Sequence, residues 1–204
     1  MNTYTFNLIQ KARYLLYNAP YDLAHEINHH YKVWENVLSI ASQENILSNI
    51  QLEPLYVACW WHDIDRDTKA HQLLRDQLIA EKTPQEFNDK VLEIINNHSF
   101  GENSEISIEA KLIYDADKLE YIGIARWEYL RLANLNNQMS DEVIQGYCND
   151  VNVRIEKVKN TLYFETTKKM FQTNVQVLSN YFKFLPNDAV YNKYIDKTIL
   201  NKII

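Results

Sequence analysis

The chain has 204 residues, a length that suits one sizeable hydrophobic core and is short for two independent domains. Its formal net charge of -6 argues against a surface that binds a nucleic-acid polymer, because such surfaces are basic. Only 3 glycines and 4 prolines are present, so few residues can form the tight turns of a β-rich protein. The composition therefore predicts an all-α protein with a single domain over residues 1–204.

The first ten residues lack the basic stretch and apolar run of a secretory signal, and no apolar run approaches the roughly 20 residues of a membrane span. The two cysteines, Cys59 and Cys148, show neither a pairing pattern nor zinc-ribbon spacing. Reduced cysteines in a cytoplasmic protein that has no membrane partner are the expectation.

The first predicted helix covers about residues 4–17, and the second begins after Asp22, a candidate N-cap. In the second helix His29 shares a stripe with Val33, Val37 and Ile40, so it is predicted to face the core. His25 lies one turn earlier on the same side. His30 is rotated by about 100° from His29 and is expected to point elsewhere.

The third helix follows Pro54 and ends in His62 and Asp63, within the most apolar run of the chain. His62 lies on the face formed by Leu55, Ala58 and Cys59. A buried imidazole followed by a carboxylate needs partners, and a metal ion satisfies both groups. The alternative is a histidine hydrogen-bonded to a carbonyl, with Asp63 as an ordinary polar residue near the helix end.

Two more helices are predicted before residue 101. Residues 68–80 form an amphipathic helix with His71 on its polar side, where a surface position is expected. The segment from Thr83 to Glu86 has the pattern of a capping box with proline at the first helical position. That helix ends near His98, whose place at a helix C-terminus is by itself compatible with a purely structural role.

The helix predicted over residues 107–126 is apolar on two sides, which is typical of a central helix. Asp115 and Asp117 are then both buried, and two neighbouring carboxylates need cations. Pairing with Lys111 and Lys118 is the structural alternative to a metal ion. The helical pattern continues to Leu135 and restarts near Ser140. One or two further helices are predicted over residues 151–185, and a last helix is predicted in the tail, residues 191–204.

The order His29, then His62 with Asp63, then Asp117 resembles the HD-domain superfamily of metal-dependent phosphohydrolases, which is named for the His-Asp doublet. The resemblance covers about residues 24–127. It is closest to a bacterial branch of predicted phosphohydrolases, whose motifs look similar to His25–Trp34, His98-Ser99-Phe100, Asp115–Leu119 and Gly123–Arg126.

This resemblance implies an HD-type helical bundle with its metal-binding core at about residues 22–127 and C-terminal helices over 128–204. It assigns His29, His62, Asp63 and Asp117 as ligands of one divalent transition metal ion, either Mn, Ni, Fe, Co or Zn, since mixed imidazole and carboxylate ligation suits these metals. Four further residues receive roles in catalysis. Lys118 contacts phosphate, His98 and His25 move a proton or bind a phosphate oxygen, and Asp115 orients a neighbour.

The activity implied is hydrolysis of a small phosphorylated metabolite, above all a nucleotide, at a phosphomonoester or pyrophosphate bond by water that the metal activates. Glu26 and Lys32 stand where the family has Asp and Arg. A non-catalytic regulatory module that binds metal and nucleotide is therefore the alternative. His25 and His98 also keep a structural alternative, because buried histidines often have one.

Overall fold

The computed structural model of the chain describes residues 1–18, 25–64, 71–98, 106–186 and 190–196. Within these ranges the chain forms ten α-helices, one short 3-10 helix at Leu47–Asn49 and no strand, so the predicted all-α class is confirmed. The α-helices are α1 Thr3–Asn18, α2 Ile27–Gln43, α3 Leu52–Trp61, α4 Gln72–Ala80, α5 Gln85–Asn97, α6 Ile108–Tyr121, α7 Ile124–Leu135, α8 Asp141–Thr161, α9 Glu165–Phe184 and α10 Tyr191–Tyr194.

The chain divides into two compact units, Met1–Asp117 and Lys118–Ile204. The first contains α1 to α5 and most of α6, and the second contains the remaining helices. The predicted inner boundary near residue 127 stays a prediction. No helix among the described residues is both long and apolar enough to cross a membrane.

Helix α3 is the centre of the first unit because it is apolar on every side. It packs against α1, α2 and α5, and nearly every residue from Pro54 to Trp61 is buried. The indole N–H of Trp61 donates to the carbonyl of Leu8 on α1 at 3.1 Å. The C-terminal end of α3 therefore lies inside the unit, and the residues that follow it, His62 and Asp63, are buried with it.

The second unit is built from long amphipathic helices around an aromatic cluster. The rings of Trp127, Phe182 and Tyr191 pack edge to face, with centroids 5.3–5.4 Å apart. The hydroxyl of Tyr191 donates to the carbonyl of Trp127 at 2.7 Å, which gives the one polar atom of this ring a partner. Phe171 and Phe182 are fully buried and belong to the core of this unit.

The predicted continuous helix over residues 107–126 is wrong at its C-terminal end. Helix α6 stops at Tyr121, and Gly123 is the N-cap of α7. The N–H of Gly123 bonds the carbonyl of Glu120 at 2.8 Å, and a β-carbon on Gly123 would lie 3.0 Å from that oxygen. Any larger residue would crowd this turn, which explains why the helical pattern breaks at a glycine.

Other helix ends also differ from the prediction. Pro84, not Thr83, is the N-cap of α5, and the hydroxyl of Thr83 instead donates to the carbonyl of Leu78 at 2.9 Å. The segment predicted as one or two helices is two, α8 and α9. The tail forms only the four residues of α10 within the described part, and the candidate cap Asp22 lies outside the described residues.

Glu109, in the first turn of α6, joins three elements of the first unit. Its carboxylate is buried, accepts the backbone N–H of Gln51 at 3.0 Å and pairs with Lys90 of α5 at 2.8 Å. Gln51 is the N-cap of α3, so the bond also satisfies a backbone donor near the start of that helix. Burial alone raises the pKa of Glu109, but Lys90 and the Gln51 N–H outweigh it and hold the pKa below its usual range.

We expect Glu109→Gln to lower the free energy of unfolding by about 1–3 kcal/mol at neutral pH, because it removes a buried charge-assisted pair. Glu93→Gln is the matched control, since Glu93 also contacts Lys90 but its side chain is 34% exposed against 5% for Glu109, and its loss should cost about 0–1 kcal/mol. Urea unfolding of both variants measures the difference.

The pH dependence of this difference has a definite sign. Because the pKa of Glu109 is lower in the folded than in the unfolded chain, its stabilisation is complete above the unfolded pKa and is lost as the pH falls through the folded one. The gap between wild type and Glu109→Gln should shrink in acid. Equal losses in both variants, or a gap that does not change with pH, would contradict this account.

Candidate metal centre

Three helices of the first unit bring the candidate ligands together. Helix α2 buries His29 against α3, His62 is the C-cap of α3 with Asp63 directly after it, and Asp117 lies in the third turn of α6. His29 and His62 are almost fully buried, and Asp63 is 8 % exposed. The four side chains predicted as ligands are therefore neighbours inside one unit.

The donor atoms of three of these residues form a triangle with equal sides. Nε2 of His29 lies 3.2 Å from Nε2 of His62, and each of these nitrogens lies 3.2 Å from Oδ2 of Asp63. Oδ1 of Asp117 is 3.6 Å from Nε2 of His29. His29, His62 and Asp117 form one group with the spacing needed to hold a metal ion, and His29, His30 and Asp63 form a second.

These separations fit a shared transition metal ion. Bonds of about 2.1 Å to nitrogen or oxygen place adjacent ligand atoms about 3.0 Å apart in octahedral geometry and about 3.4 Å apart in tetrahedral geometry. The observed distances of 3.2–3.6 Å fall in or close to this range. Two imidazole nitrogens with two carboxylate oxygens are also a donor set suited to Mn, Fe, Co, Ni or Zn.

One backbone carbonyl sets the tautomer of His62. Nδ1 of His62 lies 2.9 Å from the carbonyl oxygen of Cys59, and a carbonyl only accepts, so Nδ1 carries the proton. Nε2, which is directed at His29 and Asp63, is then a lone pair whenever the ring is neutral, the form that binds a metal ion. The two interpretations of His62 left open by the sequence, a bond to a carbonyl and a metal ligand, are compatible because each uses a different ring nitrogen.

The histidines around Asp63 keep its carboxylate ionised. Burial alone raises its pKa, but His62 and His29 act in the opposite direction and hold the pKa of Asp63 well below its usual range. Asp63 is thus an anion at neutral pH, which is the form that binds a metal ion. A buried anion in this position calls for a cation, and that is consistent with the donor triangle.

Asp115 and Asp117 occupy different places. Asp117 is the one that approaches His29, whereas Asp115 is completely buried and is absent from the metal-holding groups among the described residues. Side chains two residues apart on a helix diverge by about 200°, which accounts for the separation. Asn36 of α2 donates to the carbonyl of Ala116 at 3.1 Å, and this bond holds α2 to α6 beside Asp117.

Two of the residues predicted to assist catalysis, His98 and His25, contact the rings of the candidate ligands. The ring of His98 contacts that of His62 edge to face at 5.3 Å, and that of His25 contacts His29 at 5.4 Å. Nδ1 of His98 donates to the carbonyl of Ile95, and burial lowers the pKa of His98 to about 4. Lys118 is the residue after Asp117 on α6.

Two histidines were placed wrongly by sequence. His30, expected to point away, is fully buried with Nδ1 3.0 Å from the carbonyl of Cys59, and His71, expected on the surface, is 7 % exposed. For His30 a signal was present, since Trp34, Val37 and Ala41 continue its side of α2 as a second apolar stripe. His71 precedes α4 with a left-handed backbone, which an amphipathic pattern does not reveal.

Comparisons with known proteins agree with this arrangement. Residues 27–122 match the family model described as HD domain. A Lactobacillus plantarum protein of known structure is 22% identical with a TM-score of 0.66, and the match covers 89% of this chain and 94% of that one. A comparison with curated proteins gives no match.

Two further solved structures share the fold. One is described as a predicted HD superfamily hydrolase from an uncultured Thermotogales bacterium, at 22% identity and a TM-score of 0.54, with 88% of this chain and 87% of that one covered. The other is from Listeria innocua, at 24% identity and a TM-score of 0.53, with 91% and 100% covered. At these identities the likeness shows the fold alone.

The geometry predicts that Asp117→Asn loses most of the affinity for Co(II), while Asp115→Asn keeps the metal, because Asp117 approaches His29 and Asp115 belongs to no metal-holding group among the described residues. An indirect effect of Asp115 should weaken binding by about 10–100-fold at most. Calorimetric titration of Co(II) into chelator-treated protein measures both, with one ion per chain expected for wild type. Retained affinity in Asp117→Asn together with lost affinity in Asp115→Asn would reverse the assignment.

Proposed function

We propose that the chain, whose residues 27–122 match the HD domain, is a metal-dependent phosphohydrolase of a small phosphorylated metabolite. The substrate is a nucleotide, cleaved at a phosphomonoester or pyrophosphate bond. The observation that carries the proposal is the triangle of donor atoms from His29, His62 and Asp63, with Asp117 beside it.

In this proposal His29, His62, Asp63 and Asp117 hold one divalent transition metal ion. When bound, such an ion supplies Lewis acidity, which lowers the pKa of a water molecule and polarises a phosphoryl oxygen. The protein then needs no nucleophile of its own, and this fits the two cysteines, both buried, with burial raising the pKa of each thiol.

The charge of the site explains why a further cation is useful. Asp63 and Asp117 balance the charge of a divalent ion, so the centre as a whole attracts a phosphate only weakly. Lys118, next to Asp117 in the chain, supplies positive charge for the phosphate oxygens in the transition state. Asp115 does not bind the metal ion in this proposal but orients a neighbouring group.

His98 has a defined protonation pattern in this proposal. Because its Nδ1 donates to Ile95, its Nε2 is a lone pair, and the lowered pKa keeps the ring neutral at neutral pH. Nε2 of His98 therefore accepts a proton or a hydrogen bond instead of donating one to phosphate. His25, against the ring of His29, is the candidate for contact with a phosphate oxygen.

The proposal predicts that Co(II)- or Mn(II)-loaded protein releases phosphate or pyrophosphate from members of a panel of nucleoside mono-, di- and triphosphates and sugar phosphates. His62→Ala serves as the control for contaminating phosphatases, since it removes a ligand. Tight nucleotide binding without turnover would support a regulatory module instead. An absence of both binding and turnover across the panel would refute the nucleotide assignment.

A second prediction separates phosphate contact from metal binding. Lys118→Met should lower kcat/KM by about 10–1,000-fold, because a charge that stabilises the transition state is lost, while Co(II) affinity stays at the wild-type value. Lys168→Met is the matched control, since Lys168 pairs with Glu165 on the surface of α9. Loss of metal in Lys118→Met, or equal activity in the two variants, would contradict the role given to Lys118.

A further inference from the structure

His30 lies among the candidate ligands without belonging to the proposed set. Its side chain is fully buried, and its Nδ1 is 3.0 Å from the carbonyl oxygen of Cys59, the same oxygen that Nδ1 of His62 approaches at 2.9 Å. Cys59 is in the last turn of α3, where carbonyl groups lack an N–H from a following turn. One backbone oxygen thus holds two imidazole rings.

These two bonds define both tautomers. A carbonyl oxygen only accepts, so Nδ1 carries a proton in both rings, and Nε2 is the lone pair of each ring in its neutral form. Nε2 of His62 is directed at His29 and Asp63, whereas Nε2 of His30 has no hydrogen-bond partner among the described residues. Within the described part of the chain, the bond to Cys59 is therefore the one hydrogen bond of the His30 ring.

The ring of His30 also limits the movement of His62. The two centroids are 4.6 Å apart with the planes tilted by 57°. The ring of His30 also contacts that of Trp60, nearly parallel at 6.4 Å, and that of His29, edge to face at 5.1 Å. His30 is next to His29 on α2, while Cys59 precedes His62 by three residues. The His30–Cys59 bond thus ties the two ligand-bearing helices together at the level of the ligands.

We infer that His30 is a positioning residue of the metal centre. By donating its Nδ1–H to the Cys59 carbonyl, it fixes the orientation of that carbonyl, and the carbonyl in turn holds His62 with its Nε2 directed at the metal position. His30 also belongs to a group with metal-holding spacing, together with His29 and Asp63, but its role in this inference is to orient His62 and not to act as a ligand. The inference rests on the proposed function, since it assigns His30 a part in holding the ion that the proposed reaction requires.

Two substitutions at this position separate the hydrogen bond from the packing. His30→Phe keeps an aromatic ring against His62 and Trp60 but removes the N–H. His30→Asn removes the ring but places an amide N–H at the position of Nδ1. Because Nε2 of His30 has no partner among the described residues, its loss in either variant breaks no recorded bond.

We expect His30→Phe to bind Co(II) about 10–100-fold more weakly than wild type and to shift the visible absorption band of the bound ion, because His62 is no longer held in place. His30→Asn should keep the wild-type affinity and band. Calorimetry and visible spectroscopy of chelator-treated proteins titrated with Co(II) measure both quantities, and neither depends on activity.

If His30→Phe kept the wild-type affinity for Co(II) and His30→Asn lost it, the inference would be overturned, because the packing of the ring and not its N–H would then hold His62. Loss of the metal in both variants would make His30 a ligand and overturn it as well. The wild-type protein gives an independent measurement, since long-range ¹H–¹⁵N spectra of the imidazoles report the tautomer. His30 and His62 should both show Nδ1–H, and an Nε2–H tautomer of His30 would overturn the inference even if a variant failed to fold.

Failure of the proposed function would look different. A wild-type protein that binds no Co(II) would refute the metal centre while the tautomer measurement still decided the His30–Cys59 bond. A wild-type protein that binds Co(II) and turns over nothing would refute the hydrolase, and the ranking of the two variants would remain a test of His30.

Discussion

The burial of helix α3 is the constraint on which the first unit depends. This helix is apolar on every side, so it must lie in the core, and its C-terminal end then carries His62 and Asp63 out of water. A desolvated carboxylate is unfavourable unless opposite charge and hydrogen-bond donors surround it. The histidines beside Asp63 supply part of that compensation, and a divalent ion would complete it. The same hydrophobic driving force that folds the unit thus creates the need for a cation.

The sequence predicts the ligand-bearing faces well because burial follows helical periodicity. His29 shares a stripe with Val33 and Val37, and His62 shares one with Leu55 and Cys59, so both were predicted to face the core, as they do. That His29, His62 and Asp117 meet was not derivable from periodicity. Residues on three helices come together only through tertiary packing. The prediction that they share one site came instead from the resemblance of the His-Asp motif to the HD-domain superfamily.

His30 shows where periodicity misleads. A rotation of about 100° from a buried residue leads to solvent only if the helix has one narrow buried face. The buried face of helix α2 is broad, since Val37 and Ala41 on the side of His30 are fully buried, so a neighbour of His29 is buried as well. Helix ends were missed for a related reason. The bonds of Thr83 and Gly123 depend on the path of the chain around them, and residue preferences alone do not specify that path.

The apparent choice between a structural and a functional His62 came from treating the imidazole as a single group. A histidine has two nitrogens on opposite sides of the ring, and a ligand histidine commonly uses the second to fix its orientation. The Cys59 carbonyl serves this purpose for His62, and its second lone pair is taken by His30. A carbonyl at the end of a buried helix needs donors from outside the helix. In this unit that requirement and the orientation of His62, the proposed metal ligand, are met by the same hydrogen bond, so the stability of α3 and the geometry of the candidate site are coupled.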